Sequence, residues 1–184
     1  SDPQRSASNR KILDEFINDK TPLDLVQAVL RLLLQERISI RNLPVILEAI
    51  SEGRSALHSP EQIAEYVRQR IGFQFVSKLR DKEGRLPLIQ LSQDWENLFR
   101  QHENERENGV VDVVLSPADF NKLAGAVRDK VASAISRGVF PAIVTSVKRR
   151  RFLSAVLSAK GIRNAVISYD EIDPSEKPSI LAVA

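Results

Sequence analysis

The sequence predicts an α+β protein: a mainly helical domain with a winged-helix-like β-hairpin, then a small α/β domain with a short β-α-β-α-β sheet. Three observations carry this. Apolar residues between 22 and 76 recur at the 3.6-residue spacing of helices. Two short β-rich runs flank Asp81-Lys82-Glu83-Gly84, whose Asp and Gly suit a tight turn. From 110 onward, strand-like runs alternate with capped helical runs, the pattern of an α/β layer.

Residues 1–21 read as a polar lead-in with a short helix, in which Ile12, Leu13, Phe16 and Ile17 share a face. The stretch 22–35 places Leu25, Val26, Val29, Leu32 and Leu33 on one face, widened by Leu23, Leu30 and Leu34. An arc that broad is normally buried against more than one partner. Residues 37–40 make a bend, and a second helix runs from 41 through Ile50, with Ser39 available as a cap. Pro44 fits there because it falls in the first turn, where its missing N–H costs nothing. Ser59-Pro60-Glu61-Gln62 is a helix start, followed by Ile63, Val67, Ile71 and Phe75 at helical spacing. The hairpin is expected near 77–91, and a further helix holding Trp95, Leu98 and Phe99 follows it and completes the helical domain, 22–105.

The charged run HENERENG marks the boundary, and the α/β domain occupies 108–184. Strands are expected at VVDVVLS, FPAIVTS, NAVISY and SILAVA. Helices between them start after Ser116 and Ser146 and stop at Gly138 and Gly161.

Composition narrows the function. The chain has 184 residues, a net charge of +3, 42% hydrophobic and 28% charged residues, which is globular rather than disordered. Without cysteine there is no disulfide framework, thiolate chemistry or Cys-based zinc site. Methionine is absent even at position 1, so the chain is expected to be a processed or excised part of something longer. No stretch approaches the roughly 20 apolar residues that cross a bilayer. His58 and His102 lack a second ligand at metal spacing, and Asp170, Glu171 and Asp173 come from one segment with no phosphate loop beside them. Ser116 and Ser146 are better explained as caps than as nucleophiles. Enzymatic activity and cofactors are therefore not expected.

Lys148, Arg149, Arg150 and Arg151 are the sharpest feature, four cations at a helix start, where the dipole favours acids. The bland reading is that their methylenes cover the helix flanks while the charges stay in water. Phe152 and Leu153 put Arg149 close to the buried face, leaving Lys148, Arg150 and Arg151 for the exposed arc. The alternative is recognition of phosphate, or of acids such as Glu171 and Asp173 in this domain or a neighbouring copy. A winged-helix DNA-binding regulator is the rival reading, but Glu61, Glu65, Asp81 and Glu83 intersperse acids through its reading surfaces.

LLLQERISIRNLPVILEAI (32–50), EYVRQRIGFQFVSKL (65–79), GRLPLIQLS (84–92) and FPAIVTSVKRRRFLSAVLSAKGIRNAVISYDEI (140–172) resemble the export-gate family of bacterial flagella and type III secretion (FlhA, LcrD, InvA), the flagellar branch more closely. The resemblance covers about 22–184. It implies the third and fourth cytoplasmic subdomains of an inner-membrane protein whose transmembrane region lies outside this chain. It further implies a non-enzymatic nonameric ring in the cytoplasm that docks chaperone–substrate complexes and soluble export components, with no nucleic acid. Positions matching the family's ERxxIRxL pattern are Glu36, Arg37, Ile40, Arg41 and Leu43, and its basic helix matches Arg150, Arg151, Phe152 and Leu153. Arg37 and Arg41 are thus candidates for intersubunit contacts, and Arg149, Arg150 and Arg151 for pairing with acids across a domain or subunit boundary. Lys160-Gly161-Ile162-Arg163 departs from the family, which often has an acidic or proline-containing turn there.

Overall fold

The computed structural model describes residues 21–105 and 111–184, together with 7, 8, 10–12 and 14, which are helical. The rest of the short helix expected at 12–17 lies outside the described residues. Two compact units emerge, residues 1–71 and 72–184.

In the first unit α1 (Leu23–Gln35) buries Val26, Val29 and Leu33, while Leu23 and Leu34 stay exposed. α2 (Leu43–Gly53) begins two residues later than expected, with Asn42 at its N-cap and Pro44 in the first turn. Its Ile46, Leu47, Ala49 and Ile50 form the buried stripe. Ser39 does not cap it: the Ser39 hydroxyl accepts the Arg41 N–H at 3.4 Å, ahead of the helix. α3 (Pro60–Val76) starts as its sequence dictates, because the Ser59 hydroxyl accepts the Gln62 N–H at 3.1 Å. The Gln62 side chain reaches back to the His58 N–H at 3.2 Å. The division between the units falls within this helix, after Ile71.

The second unit is built on a four-stranded, all-parallel sheet in the order β5-β4-β1-β6. Its strands are β1 (Leu86–Gln90), β4 (Ala142–Thr145), β5 (Val166–Ser168) and β6 (Pro178–Val183). Between β1 and β4 lie α4 (Gln93–Gln101), β2 (Glu103–Glu105), β3 (Val111–Val113) and α5 (Pro117–Ser136); α6 (Val147–Ala159) connects β4 to β5. Strands buried on both faces read as continuous apolar runs. Accordingly Leu86, Leu88, Ala142, Val144 and Ile167 face one core with Val76, while Ile89, Ile143 and Val166 face the other with α4, α5 and α6.

The α+β class therefore holds, with two corrections. The hairpin at 77–91 does not form. Ser77–Leu79 is a 3-10 turn, and β1 pairs in parallel with β4 and β6. The turn itself is real, since the Asp81 N–H donates to the Arg85 carbonyl at 2.7 Å and Gly84 takes φ 75°. It turns the chain into the sheet rather than back on itself, because LPLI is apolar on both sides and must be covered on both. Pro87 is tolerated in this central strand because pairing with β4 starts one residue later, at Leu88.

The second correction concerns VVDVVLS. Val111–Val113 pairs antiparallel with Glu103–Glu105 in a separate two-stranded sheet, so β1 takes the place it was expected to hold in the main sheet. By its internal contacts the chain divides at 71/72. Residues 86–101 carry the central strand and Trp95 and Phe99, whose burial lies in the α/β core.

Candidate interaction sites

The basic start of α6 is resolved inside the second unit. Arg149 is 1% exposed. Its Nε donates to both Glu96 carboxylate oxygens at 3.1 and 3.2 Å, and its Nη2 donates to Glu96 at 3.0 Å and to Glu103 at 2.6 Å. Lys148 Nζ meets the other Glu103 oxygen at 3.0 Å. The guanidinium lies 5.9 Å from the centre of the Phe99 ring, which in turn meets Phe152 edge-on at 5.2 Å. Cation, carboxylates and aromatic rings thus form one cluster joining α4, β2 and α6.

The electrostatics follow from this packing. Burial alone would lower the Arg149 pKa, but the hydrogen bonds it donates to Glu96 and Glu103 outweigh it and raise the pKa above the ordinary arginine value. The Glu103 carboxyl is held below its ordinary range, first by the Lys148 hydrogen bond and then by that from Arg149. Charges opposed by the helix dipole are here satisfied by acids from neighbouring elements.

Arg150 corrects another expectation. It is 1% exposed rather than on the outer arc, and its Nη1 approaches the Val166 carbonyl at 3.5 Å. It lies three residues before Leu153 and seven before Leu157, on the buried stripe by ordinary helical spacing. Arg151 is half-buried and Lys148 exposed. Ser146 occupies the N-cap position without a side-chain cap bond, whereas Ser116 does cap α5, accepting the Asp119 N–H at 3.1 Å.

The acids named from sequence make local bonds. Glu171 is buried and accepts the Ser168 N–H at 3.0 Å. Asp173 is exposed, and Ser175 donates to it from both hydroxyl and backbone, at 2.6 and 2.8 Å, which lowers its pKa. Glu96 and Glu103 are what the sequence reading missed. Glu96 offered a signal, because it sits three residues before Phe99 and so flanks the buried face of α4. Glu103 offered none, since its approach depends on the β2–β3 pairing.

In the first unit Glu36 turns inward, accepting Arg68 Nη1 at 2.8 Å. Arg37 follows with φ 60°, and both it and Arg41 are exposed. Left-handed backbone is uncommon for a non-glycine residue, and here it closes the end of α1. The ERxxIRxL stretch therefore splits: Glu36 and Leu43 serve the fold, while Arg37 and Arg41 face outward. His58 and His102 are exposed, and among the described residues no three His, Cys, Asp or Glu side chains converge to hold a metal. No helix among them is long and apolar enough to cross a membrane.

Comparison with known proteins agrees with this architecture. The flagellar biosynthesis protein FlhA of Caulobacter vibrioides is 34% identical over 170 residues, covering 91% of this chain and 24% of that protein. The chain thus spans about a quarter of that relative's length. In solved structures the fold recurs in nonameric EPEC SctV-C, with TM-score 0.82 and 18% identity over 98% of this chain and 55% of that one. It recurs also in the Chlamydia pneumoniae CdsV and CdsO protein complex, with TM-score 0.76 and 22% identity over 98% of this chain and 53% of that one. The model of the FHIPEP family matches residues 4–177, and the chain belongs to that family, on its flagellar side.

Proposed function

We propose that this chain is the C-terminal part of the cytoplasmic platform of a flagellar type III export gate. It acts without catalysis, as a scaffold that assembles into a ring, as the nonameric relative does, and presents surfaces to chaperone–substrate complexes and soluble export components. The two subdomains proposed from sequence, about 22–105 and 108–184, belong to an inner-membrane protein whose membrane-spanning region lies outside the chain. A relative solved with CdsO supports docking of a soluble partner.

The observation that carries this reading is the division of labour among the arginines. Arg149 and Arg150 of α6 are spent on Glu96, Glu103 and the Val166 carbonyl, inside one unit. Arg37 and Arg41 stand outside, available to an acidic neighbour. Interfaces of this kind surround an apolar centre with a charged rim, and exposed Leu34 lies beside Arg37. The winged-helix regulator loses its wing, because 86–90 is a central parallel strand. An antibody against the chain should detect a larger protein in inner-membrane fractions of the source cells. A soluble band no larger than the chain would defeat the proposal.

A further inference from the structure

β6 (Pro178–Val183) is an edge strand: among the described residues it pairs with β1 alone. The Leu86 N–H donates to the Lys177 carbonyl at 2.8 Å, and the Ala184 N–H donates to the Gln90 carbonyl at 2.8 Å, so both ends of β6 are tied to β1 through residues 177 and 184. Backbone groups alternate in direction along a strand. The N–H and C=O of Ile180 and Val183 therefore point away from the sheet, as an unpaired row.

Register also sets the side chains. Leu86, Leu88 and Gln90 share one face of β1, and their partners across the pairing are Pro178, Ile180 and Val183. The register steps from Leu88–Ile180 to Ile89–Ala182, so Leu181 is an extra residue, and this bulge brings Val183 onto the face of Ile180. Ile180 is 46% and Val183 50% exposed. Tyr169, whose hydroxyl accepts Gln90 Nε2 at 3.0 Å, is 48% exposed on the same face. Natural edges are commonly guarded by charge, above all by lysine. No side chain from 178 to 184 is charged; Lys177 precedes the strand and Asp170 follows Tyr169, one of each sign. Charge thus selects no partner here, and the choice falls to backbone pairing and apolar contact.

We infer that β6 receives an added β-strand, an extended and uncharged segment of a soluble protein partner. Its backbone bonds Ile180 and Val183, and its alternate apolar side chains lie against Ile180, Val183 and Tyr169. The inference rests on the proposed docking of soluble export components and names how one of them engages. Pairing two β6 edges instead would be isologous and close a dimer, whereas the copies of a ring meet head to tail.

The test titrates the isotope-labelled chain with a short synthetic peptide alternating valine and threonine, beside the same peptide N-methylated at every residue, which has no backbone donor left. Shifts and slowed hydrogen exchange at the Ile180 and Val183 amides with the first peptide alone are the expected result. Ile180→Lys with Val183→Lys should weaken binding on the order of tenfold with unchanged melting temperature, since both side chains are half exposed. No binding, equal shifts with the N-methylated peptide, full affinity in the double variant, or protection of these amides by self-association without peptide would overturn it. A natural export component that binds wild type and the double variant equally would sink this edge while leaving the docking function standing.

Discussion

Arg149 and Glu96 form a forked ion pair between α6 and α4, with three nitrogen–oxygen distances of 3.0 to 3.2 Å around a guanidinium that is 1% exposed. Breaking such a pair from the acid side leaves a buried cation, which costs more than the pair itself contributes. The double variant Glu96→Ala, Glu103→Ala should therefore lose about 3–5 kcal/mol of stability. Arg149→Met should lose less, because both carboxylates retain access to water. Urea unfolding of the two variants checks the order, and the reverse order would show that packing rather than charge sets the cost.

Arg150 sharpens the contrast. Arg150→Glu should unfold the second unit, since it places an acid where a buried arginine meets the Val166 carbonyl. Arg151→Glu should leave the fold intact. Circular dichroism melts of the single variants separate the two, and equal melts would contradict the burial of Arg150.

Acid stability follows from the carboxylates held low. Glu103, Asp81 and Asp173 all have folded-state pKa values below their ordinary ones. For Glu103 the main cause is the Lys148 hydrogen bond; for Asp173 it is that of Ser175. At Asp81 burial pushes upward, but the bonds from Arg85 prevail. A depressed pKa contributes stability above the unfolded value and loses it as pH falls through the folded one. Stability should thus fall below the ordinary Glu value of 4.5, and Glu103→Gln should flatten that fall. Melting temperature against pH for both proteins is the measurement, and parallel curves would remove Glu103 from the account.

Two glycines give opposite signs for one substitution. A Cβ at Gly72 would lie 2.6 Å from the Glu171 carbonyl oxygen, a backbone atom that cannot step aside. Gly72→Ala should cost about 1–3 kcal/mol despite its better helix propensity. At Gly125 in α5 nothing lies within 4 Å of a Cβ, so Gly125→Ala should stabilise by up to about 1 kcal/mol. Chemical denaturation decides both signs.

Arg37→Glu with Arg41→Glu should leave the melting temperature of the chain unchanged while abolishing flagellar export in cells carrying the longer protein. Both side chains are exposed, and neither supports the core. Normal motility in that background would remove these arginines from the proposed ring contacts.

The sequence by itself determined which residues form helices, because caps, stops and 3.6-residue spacing are local. Ser59, Pro60, Ser116 and Gly138 act on the few residues around them, and α3 and α5 begin or end as those signals dictate. Spacing from Leu153 and Leu157 puts Arg150 on the buried stripe; counting the half-buried Phe152 as equally inward is what left Arg150 on the exposed arc. What only the tertiary structure decided was which strands pair and which charges meet. LPLIQ followed a turn suited to a hairpin, yet its partners are 54 and 92 residues further on, as Leu88 pairing with Ala142 and Leu86 with Pro178 shows. Backbone hydrogen bonding is the same for any partner, so the choice fell to burial of two apolar faces at once. The Arg149 cluster follows from that choice, since Glu96 and Glu103 reach it only after β1 takes the centre of the sheet and carries α4 and β2 into the α/β unit.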